Sequence, residues 1–238
     1  MAIDEVYALA AAVTGDEKHD ASSYSTIDVV YVLYEHVLRH DPADPAWEGR
    51  DRFLLSKGHG PAAFYAVLAH RGFFPHEELG RFIRWDGILG GHPDRLQVPG
   101  VEVSTGSLGH GLPMAVGVAY ALRAKGSDRR SFVLTGDAEL NEGTNWEAIL
   151  HAGAAGLGNL SLVVVDNRSS SIEMGDIAAR IGAFGWETAT VDGRDHDALR
   201  SALSRHGDAP TATVALVVGS TETSKNAEAP ACTAPERV

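Results

Sequence analysis

Two short polar segments carry the residues of this sequence that are best suited to bind a metal ion. One is TGDAELNEG (135–143), which contains Asp137, and the other is DNRSSS (166–171), which contains Asn167. Each directly follows an apolar stretch of the kind that forms a buried strand. A carboxylate and an amide oxygen, with a main-chain carbonyl as a third donor, suit Mg²⁺. Alone, Asp137 could cap a helix and Asn167 could form a turn, so the metal hypothesis requires that the two residues meet.

The elements that must bring these segments together alternate between strand and helix. The patterns of the second half predict helix 110–125, strand 131–135, helix 144–155, strand 161–165, helix 173–183, strand 187–191, helix 195–206 and strand 211–218. This alternation, with strands that are apolar throughout, predicts an α/β fold with a parallel sheet and helices on both faces. A right-handed crossover places both polar loops at the carboxyl edge of the sheet, where ligands bind in such folds.

The first half contains one long irregular region and fewer strand patterns. Residues 86–107 are rich in Gly and Pro, which predicts a long functional loop. Residues 219–238 are small and polar, which predicts a disordered tail behind a domain spanning 1–218. The remaining predictions are helices over 3–13 and 25–39, Ser25 as the cap of the second helix, strand 52–56, a helix over PAAFYAVLAHRG, and a short helix after Pro75.

The composition argues against several functional classes. Twenty Lys and Arg residues against 32 Asp and Glu give a net charge of -12, whereas nucleic-acid binding needs a basic face. No apolar run approaches the roughly 20 residues that span a bilayer, and the start carries acids where a signal peptide is basic. The single cysteine, Cys232, excludes a disulfide framework and a Cys-based zinc site. We therefore expect a soluble, cytoplasmic protein that binds neither nucleic acid nor membrane.

Several motifs, taken in order, resemble those of one enzyme family. GDAELNEG, followed by VVVDN with Asn167 placed 30 positions after Asp137, resembles the thiamine-diphosphate fingerprint GDG…NN. The other matching motifs are DRFLLSKGHGPAAFYAVLAHRGF (51–73), GGHPD (90–94), STGSLGHGLPMAVGVAYAL (104–122) and AFGWETATVDGRD (183–195). In their order and spacing, residues 5–200 are similar to the N-terminal half of a transketolase, in the split form whose two halves are separate chains.

The resemblance implies a thiamine-diphosphate-binding fold of the type that holds the diphosphate and Mg²⁺ end of the cofactor. Asp137 and Asn167 match the metal-binding side chains of the family, and Ser169 falls where a main-chain carbonyl completes the protein ligands. His59 matches a histidine that hydrogen-bonds the cofactor phosphate. The other cofactor contacts that the resemblance implies are Gly106, Ser107 and Leu108 along the two rings, and Ala138 and Glu139 in the fingerprint.

Four further residues match the catalytic groups of the family. His19 and His92 match histidines that contact substrate hydroxyls and move protons, a role for which a neutral imidazole is suited. His110 stands where one-chain members have Gln, and Glu142 matches an acid at the subunit contact that is linked to proton relay. The implied reaction is the transfer of a two-carbon ketol unit from a ketose donor to an aldehyde acceptor, with the cofactor as covalent catalyst.

The sequence also departs from the family pattern. Ala138 replaces the second Gly of the fingerprint, Asp20 follows His19 where the family has Gly, and Arg194 replaces the His of DGHD. After the last strand, GSTETSKNAEAP stands in place of a Lys-Gly-x-Gly stretch. These departures predict an unusual substrate.

The pyrimidine-binding half of the family has no match in these 238 residues. The resemblance therefore predicts a C-terminal partner subunit that carries that domain, a heterotetramer, and a chain that is inactive alone. An exposed apolar face in the region 86–125 would fit such a partner. Two alternatives stay open: a cofactor-binding subunit of a 2-oxo acid dehydrogenase, which would share Asp137 and Asn167, and a non-catalytic scaffold or regulatory partner, which Ala138 and Asp20 would suit.

Overall fold

A computed structural model describes residues 2–13, 20–58 and 60–217. The predictions for His19, for His59, for the Asp20 side chain and for the tail 219–238 lie outside the described part. The strands are β1 (Arg52–Leu55), β2 (Ser131–Gly136), β3 (Leu160–Asp166), β4 (Glu187–Asp192) and β5 (Thr211–Leu216). The α-helices are α1 (Ala2–Ala12), α2 (Asp20–Tyr24), α3 (Ile27–Val32), α4 (Ala62–His70), α5 (Gly111–Ala124), α6 (Gly143–Ala154), α7 (Ile177–Gly182) and α8 (His196–Leu203).

The described strands form one parallel sheet in the order β1-β2-β3-β5-β4. β2 and β3 are neighbours, and Gly136 at the end of β2 is in register with Val165. Every residue of β2 is buried, as are all residues of β3 except its last, because helices cover both faces of a parallel sheet. The predicted α/β fold with a parallel sheet is therefore confirmed.

Two apolar cores lie on opposite faces of the sheet. Alternate residues of β2 contribute to them: Phe132 and Leu134 to the core under α1, α3, α4 and α8, and Val133 to the core under α5, α6 and α7. Each fully buried Leu or Phe contributes about 1.5–3 kcal/mol. This packing holds the carboxyl ends of β2 and β3 side by side.

The helix predicted over 25–39 is present as α3 followed without a break by a π-helical turn, Leu33–Val37, which the pattern did not predict. A turn separates α3 from the short helix α2 that precedes it. The Leu38 N–H donates to the Leu33 carbonyl at 2.8 Å, which is the wider i to i+5 bond of that helix type.

The prediction that Ser25 caps this helix is wrong. Thr26 occupies the cap position of α3 and makes no side-chain cap hydrogen bond. The Ser25 hydroxyl donates to the Ser22 carbonyl at 2.9 Å and lies 3.1 Å from Lys57 Nζ. Tertiary partners therefore occupy the hydroxyl that a local pattern would assign to a cap.

The other predicted elements are present, with ends that differ by a few residues. The helix predicted over 173–183 begins at Ile177, because the Asp176 carboxylate accepts from the Ala179 N–H at 2.9 Å and caps it there. Asp195 caps α8 in the same way. The short helix predicted after Pro75 is a 3₁₀ helix, His76–Arg81.

A long irregular segment, residues 82–110, links this 3₁₀ helix to α5, as the Gly and Pro content predicts. An ion pair fastens it to the body of the domain, with Arg50 Nε 2.7 Å from Glu102 Oε1. In the region 86–125 the residues Leu96 and Met114 are 84% and 37% exposed, and an apolar face for a partner stays a prediction.

None of the helices in the described ranges combines the length and the apolar character needed to cross a membrane.

Candidate functional site

The two polar segments meet at the carboxyl edge of the sheet. Asp137 directly follows β2 and Asn167 directly follows β3, and these strands are neighbours. The Asp137 N–H donates to the Val165 carbonyl at 3.1 Å, so the two chain segments are joined where they leave the sheet. The prediction that a single crossover places both loops at one edge is confirmed.

The Asp137 carboxylate is turned inward and is only 1% exposed. Its two oxygens accept from the Ser169 hydroxyl at 2.7 Å and from the Ser170 N–H at 2.9 Å. Asp137 stands at the cap position of the 3₁₀ turn Ala138–Asn141 but makes no side-chain cap hydrogen bond. The simpler interpretation of this residue as a helix cap is therefore wrong, and its oxygens face the loop that follows β3.

In the Asn167 side-chain amide, the nitrogen is hydrogen-bonded and the oxygen receives no hydrogen bond from the described residues. Its Nδ2 donates to the Ser25 hydroxyl at 3.2 Å, which orients the side chain. Its Oδ1 is buried and has no hydrogen-bond partner among the described residues. A buried carbonyl without a partner costs about 1–3 kcal/mol, so this oxygen fits the role of a ligand to a cation.

The loop after Asn167 is held in a strained turn. Arg168 adopts φ = 57°, a left-handed conformation that is uncommon for residues other than Gly, and its N–H donates to Asp166 Oδ1 at 3.0 Å. This turn places the Ser169 hydroxyl 2.7 Å from Asp137 Oδ1, and the role of the Ser169 main-chain carbonyl as a metal ligand stays a prediction. No group of three or more His, Cys, Asp or Glu side chains in the described ranges could hold a metal, so a cation here would also use amide and main-chain oxygens.

Lys57 supplies a buried positive charge to the same edge. Its Nζ donates to the Ser22 carbonyl at 2.8 Å and to the hydroxyls of Thr26 and Ser25 at 2.9 and 3.1 Å. Burial lowers the pKa of Lys57 to about 8, while the nearby carboxylates of Asp137 and Glu139 act in the opposite direction. Sequence reasoning missed this lysine, although the SKGH motif contained it.

Glu139 is as deeply buried as Asp137, with 1% of the residue exposed. Its Oε1 accepts from the Gly109 N–H at 3.0 Å and from the Ser56 hydroxyl. Burial raises the pKa of Glu139, and the hydrogen bonds from Ser56 and Gly109 oppose that rise. The carboxylate therefore contacts the glycine-rich turn before α5, while Ala138 beside it is half-buried.

The glycine-rich segment that contains Gly106, Ser107 and Leu108 packs closely against its neighbours. Gly106 adopts φ = 136°, which residues with a side chain rarely adopt. A Cβ built on Gly58 would lie 2.8 Å from the Gly106 nitrogen, so the SKGH segment and this segment approach backbone to backbone. The ring of His92 covers the other side of Gly106, at 2.8 Å from a Cβ built there.

We expect Gly106→Ala to lower the free energy of unfolding by about 1–3 kcal/mol, because the added methyl would meet the His92 ring in a strained conformation. Urea unfolding and the NMR signals of the His92 ring would measure the effect. Gly117→Ala is the matched control, since a Cβ there meets nothing within 4 Å on an exposed face of α5, and it should stabilise by about 0.5–1 kcal/mol. Equal stability of Gly106→Ala and the wild type would contradict this close packing.

Three of the predicted catalytic residues are described by the structure, and all three lie around the glycine-rich segment before α5. His92 is exposed beside Gly106. His110 is exposed at the start of α5, with its Nδ1 3.0 Å from the Leu108 carbonyl and 3.3 Å from the Ser107 hydroxyl. Glu142 is exposed at the start of α6. The structure thus brings these three side chains to one edge, and their catalytic roles stay predictions.

A second charged cluster, which the sequence patterns did not reveal, lies between α3 and the loop before α8. The buried Asp28 carboxylate accepts from the Tyr7 hydroxyl at 2.6 Å and pairs with Arg194. His196 Nε2 lies 2.8 Å from the other Asp28 oxygen. Arg194, which departs from the family pattern, therefore binds an acid together with a histidine two positions later.

Comparison with known proteins agrees with this geometry. A family model described as the transketolase thiamine diphosphate binding domain matches residues 2–235. The chain is 48% identical over 217 residues to a protein named ferredoxin fas2 from Rhodococcoides fascians, covering 90% of this chain and 71% of that protein. It is 39% identical over 187 residues to one subunit of the apulose-4-phosphate transketolase of Actinobacillus succinogenes, covering 74% of this chain and 67% of that one.

The structural comparison gives the same family. A crystal structure of Pichia stipitis transketolase in complex with sedoheptulose-7-phosphate superposes with a TM-score of 0.72 at 29% identity. The match covers 85% of this chain and 36% of that chain, so the present chain spans about a third of that transketolase. Since the family match extends over nearly the whole sequence and the parallel sheet superposes as well, the chain belongs to the transketolase family and comprises its thiamine diphosphate binding domain.

Proposed function

We propose that this chain is the N-terminal subunit of a two-chain transketolase-like enzyme that transfers a two-carbon ketol unit from a ketose donor to an aldehyde acceptor. The observation that carries the proposal is the placement of Asp137 and Asn167 at the ends of neighbouring strands, where the buried Asn167 Oδ1 has no hydrogen-bond partner in the described part of the chain. With the Ser169 main-chain carbonyl, these oxygens would hold the Mg²⁺ that neutralises a diphosphate. When bound, thiamine diphosphate supplies the chemistry that breaks and forms the carbon–carbon bond.

The chain's own residues would bind and orient the cofactor and move protons. His59 would hydrogen-bond the phosphate, and the main chain of Gly106 allows a close approach to the rings because no side chain stands there. His19, His92 and His110 would contact substrate hydroxyls and transfer protons, as imidazoles can near neutral pH. Glu142, which is exposed at the start of α6, would lie at the subunit contact.

The second chain would complete the site. The relative from Actinobacillus succinogenes is named as one subunit of a transketolase, and the present chain spans about a third of the solved Pichia stipitis transketolase. Both facts support a C-terminal partner subunit that carries the pyrimidine-binding domain. We place the assembly, a heterotetramer of two copies of each chain, in the cytoplasm.

The name ferredoxin, which the relative from Rhodococcoides fascians carries, supports no second function for this chain. The iron–sulfur clusters of ferredoxins are held by several Cys thiolates, commonly four. Cys232 is the single cysteine of this sequence. Electron transfer through a cluster held within this chain is therefore not supported.

Titration of the chain with thiamine diphosphate in the presence of Mg²⁺, with and without the partner subunit, tests the proposal. A neighbouring reading frame that encodes a pyrimidine-binding domain would supply the partner for this experiment. We expect saturable binding in the mixture, measured by isothermal titration calorimetry, and at least about tenfold weaker binding once EDTA removes the metal. The absence of binding in either sample would refute the proposal and favour the non-catalytic scaffold.

A further inference from the structure

Three segments of the candidate site converge on one buried carboxylate. Glu139 belongs to the GDAELNEG segment and Ser56 to the SKGH segment. Gly109 lies in the turn before α5, and Gly111 is the first residue of α5. Ser56 and Glu139 are each 1% exposed. The side chains that link these segments are therefore shielded from solvent, where a hydrogen bond is costly to leave unmade.

The hydrogen bonds among these residues form a continuous chain. Glu139 Oε1 accepts from the Gly109 N–H at 3.0 Å and from the Ser56 hydroxyl. The Ser56 oxygen in turn accepts from the Gly111 N–H at 3.1 Å. One carboxylate oxygen thus secures two main-chain N–H groups of the turn 108–111, the first directly and the second through Ser56.

The same turn is held from α6 on its carbonyl side. The Thr144 hydroxyl donates to the Gly109 carbonyl at 2.7 Å. The Asn145 side-chain amide donates to the main-chain carbonyl of Glu139 at 2.7 Å, which fixes the base of the carboxylate. The turn and Glu139 are therefore connected to the same helix start.

We infer that Glu139 is a positioning residue, which fixes the turn 108–111 and residues 56–58 in one arrangement before a cofactor binds. The inference rests on the proposed function, because the residues that it holds in place adjoin the expected cofactor contacts His59 and Leu108. If the turn is already fixed in the free chain, cofactor binding does not have to supply the free energy needed to order it. An apolar side chain of similar size would leave the Gly109 N–H and the Ser56 hydroxyl without their acceptor.

Comparison of Glu139→Met with Glu139→Gln tests the inference. Met keeps the volume and removes the acceptor, whereas Gln keeps one acceptor oxygen for Ser56 and Gly109. In the complex with the partner subunit, we expect Glu139→Met to weaken the binding of thiamine diphosphate about 10- to 100-fold, and Glu139→Gln to stay within about threefold of the wild type.

Two further measurements separate positioning from general destabilisation. In the free full-length chain, amide hydrogen exchange of the turn 108–111 should be faster in Glu139→Met, with β3 unchanged. Leu203→Ala, which opens the core at α8, is the control, and it should lower the melting temperature without weakening cofactor binding. Ser56→Ala should weaken binding less than Glu139→Met, and the double variant should be no weaker than Glu139→Met, because both residues act in one network.

The outcomes distinguish this inference from the proposed function. The role of the carboxylate as acceptor would be overturned if Glu139→Met kept the wild-type exchange rate and the wild-type affinity for thiamine diphosphate. Equal losses of affinity in Glu139→Gln and Glu139→Met would overturn it as well. If the wild-type complex does not bind thiamine diphosphate, the proposed function fails, while the exchange rates of the free chains still decide the inference. If Glu139→Met does not fold, faster exchange of the turn in Ser56→Ala supports the inference and unchanged exchange overturns it.

Discussion

Replacement of Asp137 by Ala should weaken the Mg²⁺-dependent binding of thiamine diphosphate at least about a hundredfold while the chain stays folded. The substitution removes the one carboxylate among the proposed metal ligands, and Mg²⁺ is held in proteins mainly by one or two carboxylates together with phosphate oxygens. Among the described residues, the carboxylate accepts hydrogen bonds from Ser169 and Ser170 on the loop after β3, and it interacts with the buried charge of Lys57. Their loss should cost about 1–3 kcal/mol, which a folded domain can tolerate.

Calorimetric titration of the complex with the partner subunit measures the affinity, and urea unfolding of the free chain measures the stability. Asp166→Asn is the matched control, because this acid ends the neighbouring strand β3, accepts from the Arg168 N–H and is not among the proposed metal ligands. It should change the affinity by less than about threefold, since Asn keeps an acceptor oxygen. An equal loss of affinity in Asp137→Ala and Asp166→Asn would count against Asp137 as a metal ligand. So would unfolding of Asp137→Ala that accounts for its loss of binding.

The free chain should show no ketol transfer, and addition of the partner subunit should raise the rate from background to a plateau at equal amounts of the two chains. The reason lies in the open face of the candidate site: Ser107, His110 and Glu142 are exposed. This chain would bind the diphosphate end of the cofactor, and the pyrimidine end would stay unbound until the second chain is present. Mass spectrometry of products from a panel of ketose donors and aldehyde acceptors measures the transfer.

Sedimentation analysis of the same mixtures would report the assembly, for which we expect two copies of each chain. Glu142→Ala should weaken the association because Glu142 is placed at the proposed subunit contact. Glu147→Ala is the control, since Glu147 is also an exposed acid of α6 and has no assigned contact. Transfer by the free chain at a rate that the partner does not change would refute the split-subunit proposal, and a tight complex without transfer would favour a scaffold.

The sheet and the main elements of the candidate site could be predicted because they depend on the pattern of residues that are close together in the sequence. β2 and β3 are mostly apolar and each is followed directly by a polar residue, so strand type, burial and the positions of Asp137 and Asn167 could be predicted from neighbouring residues. Because β2 and β3 are parallel neighbours joined by one crossover, both loops share an edge, as the register of Gly136 with Val165 shows. These features depend on interactions that nearly every parallel α/β sheet must make.

The hydrogen bonds that orient the site could not be predicted in this way. Ser25 and Asn167 are 142 positions apart, and Ser56 and Glu139 are 83 positions apart, yet each pair shares a hydrogen bond. Local periodicity carries no information on such pairs, and it wrongly assigned Ser25 to a helix cap. The sequence alone therefore determined the layers of the fold and the edge where ligands bind. Only the tertiary structure decided which buried polar atoms are partnered, because that choice depends on which distant segments the packed cores bring into contact.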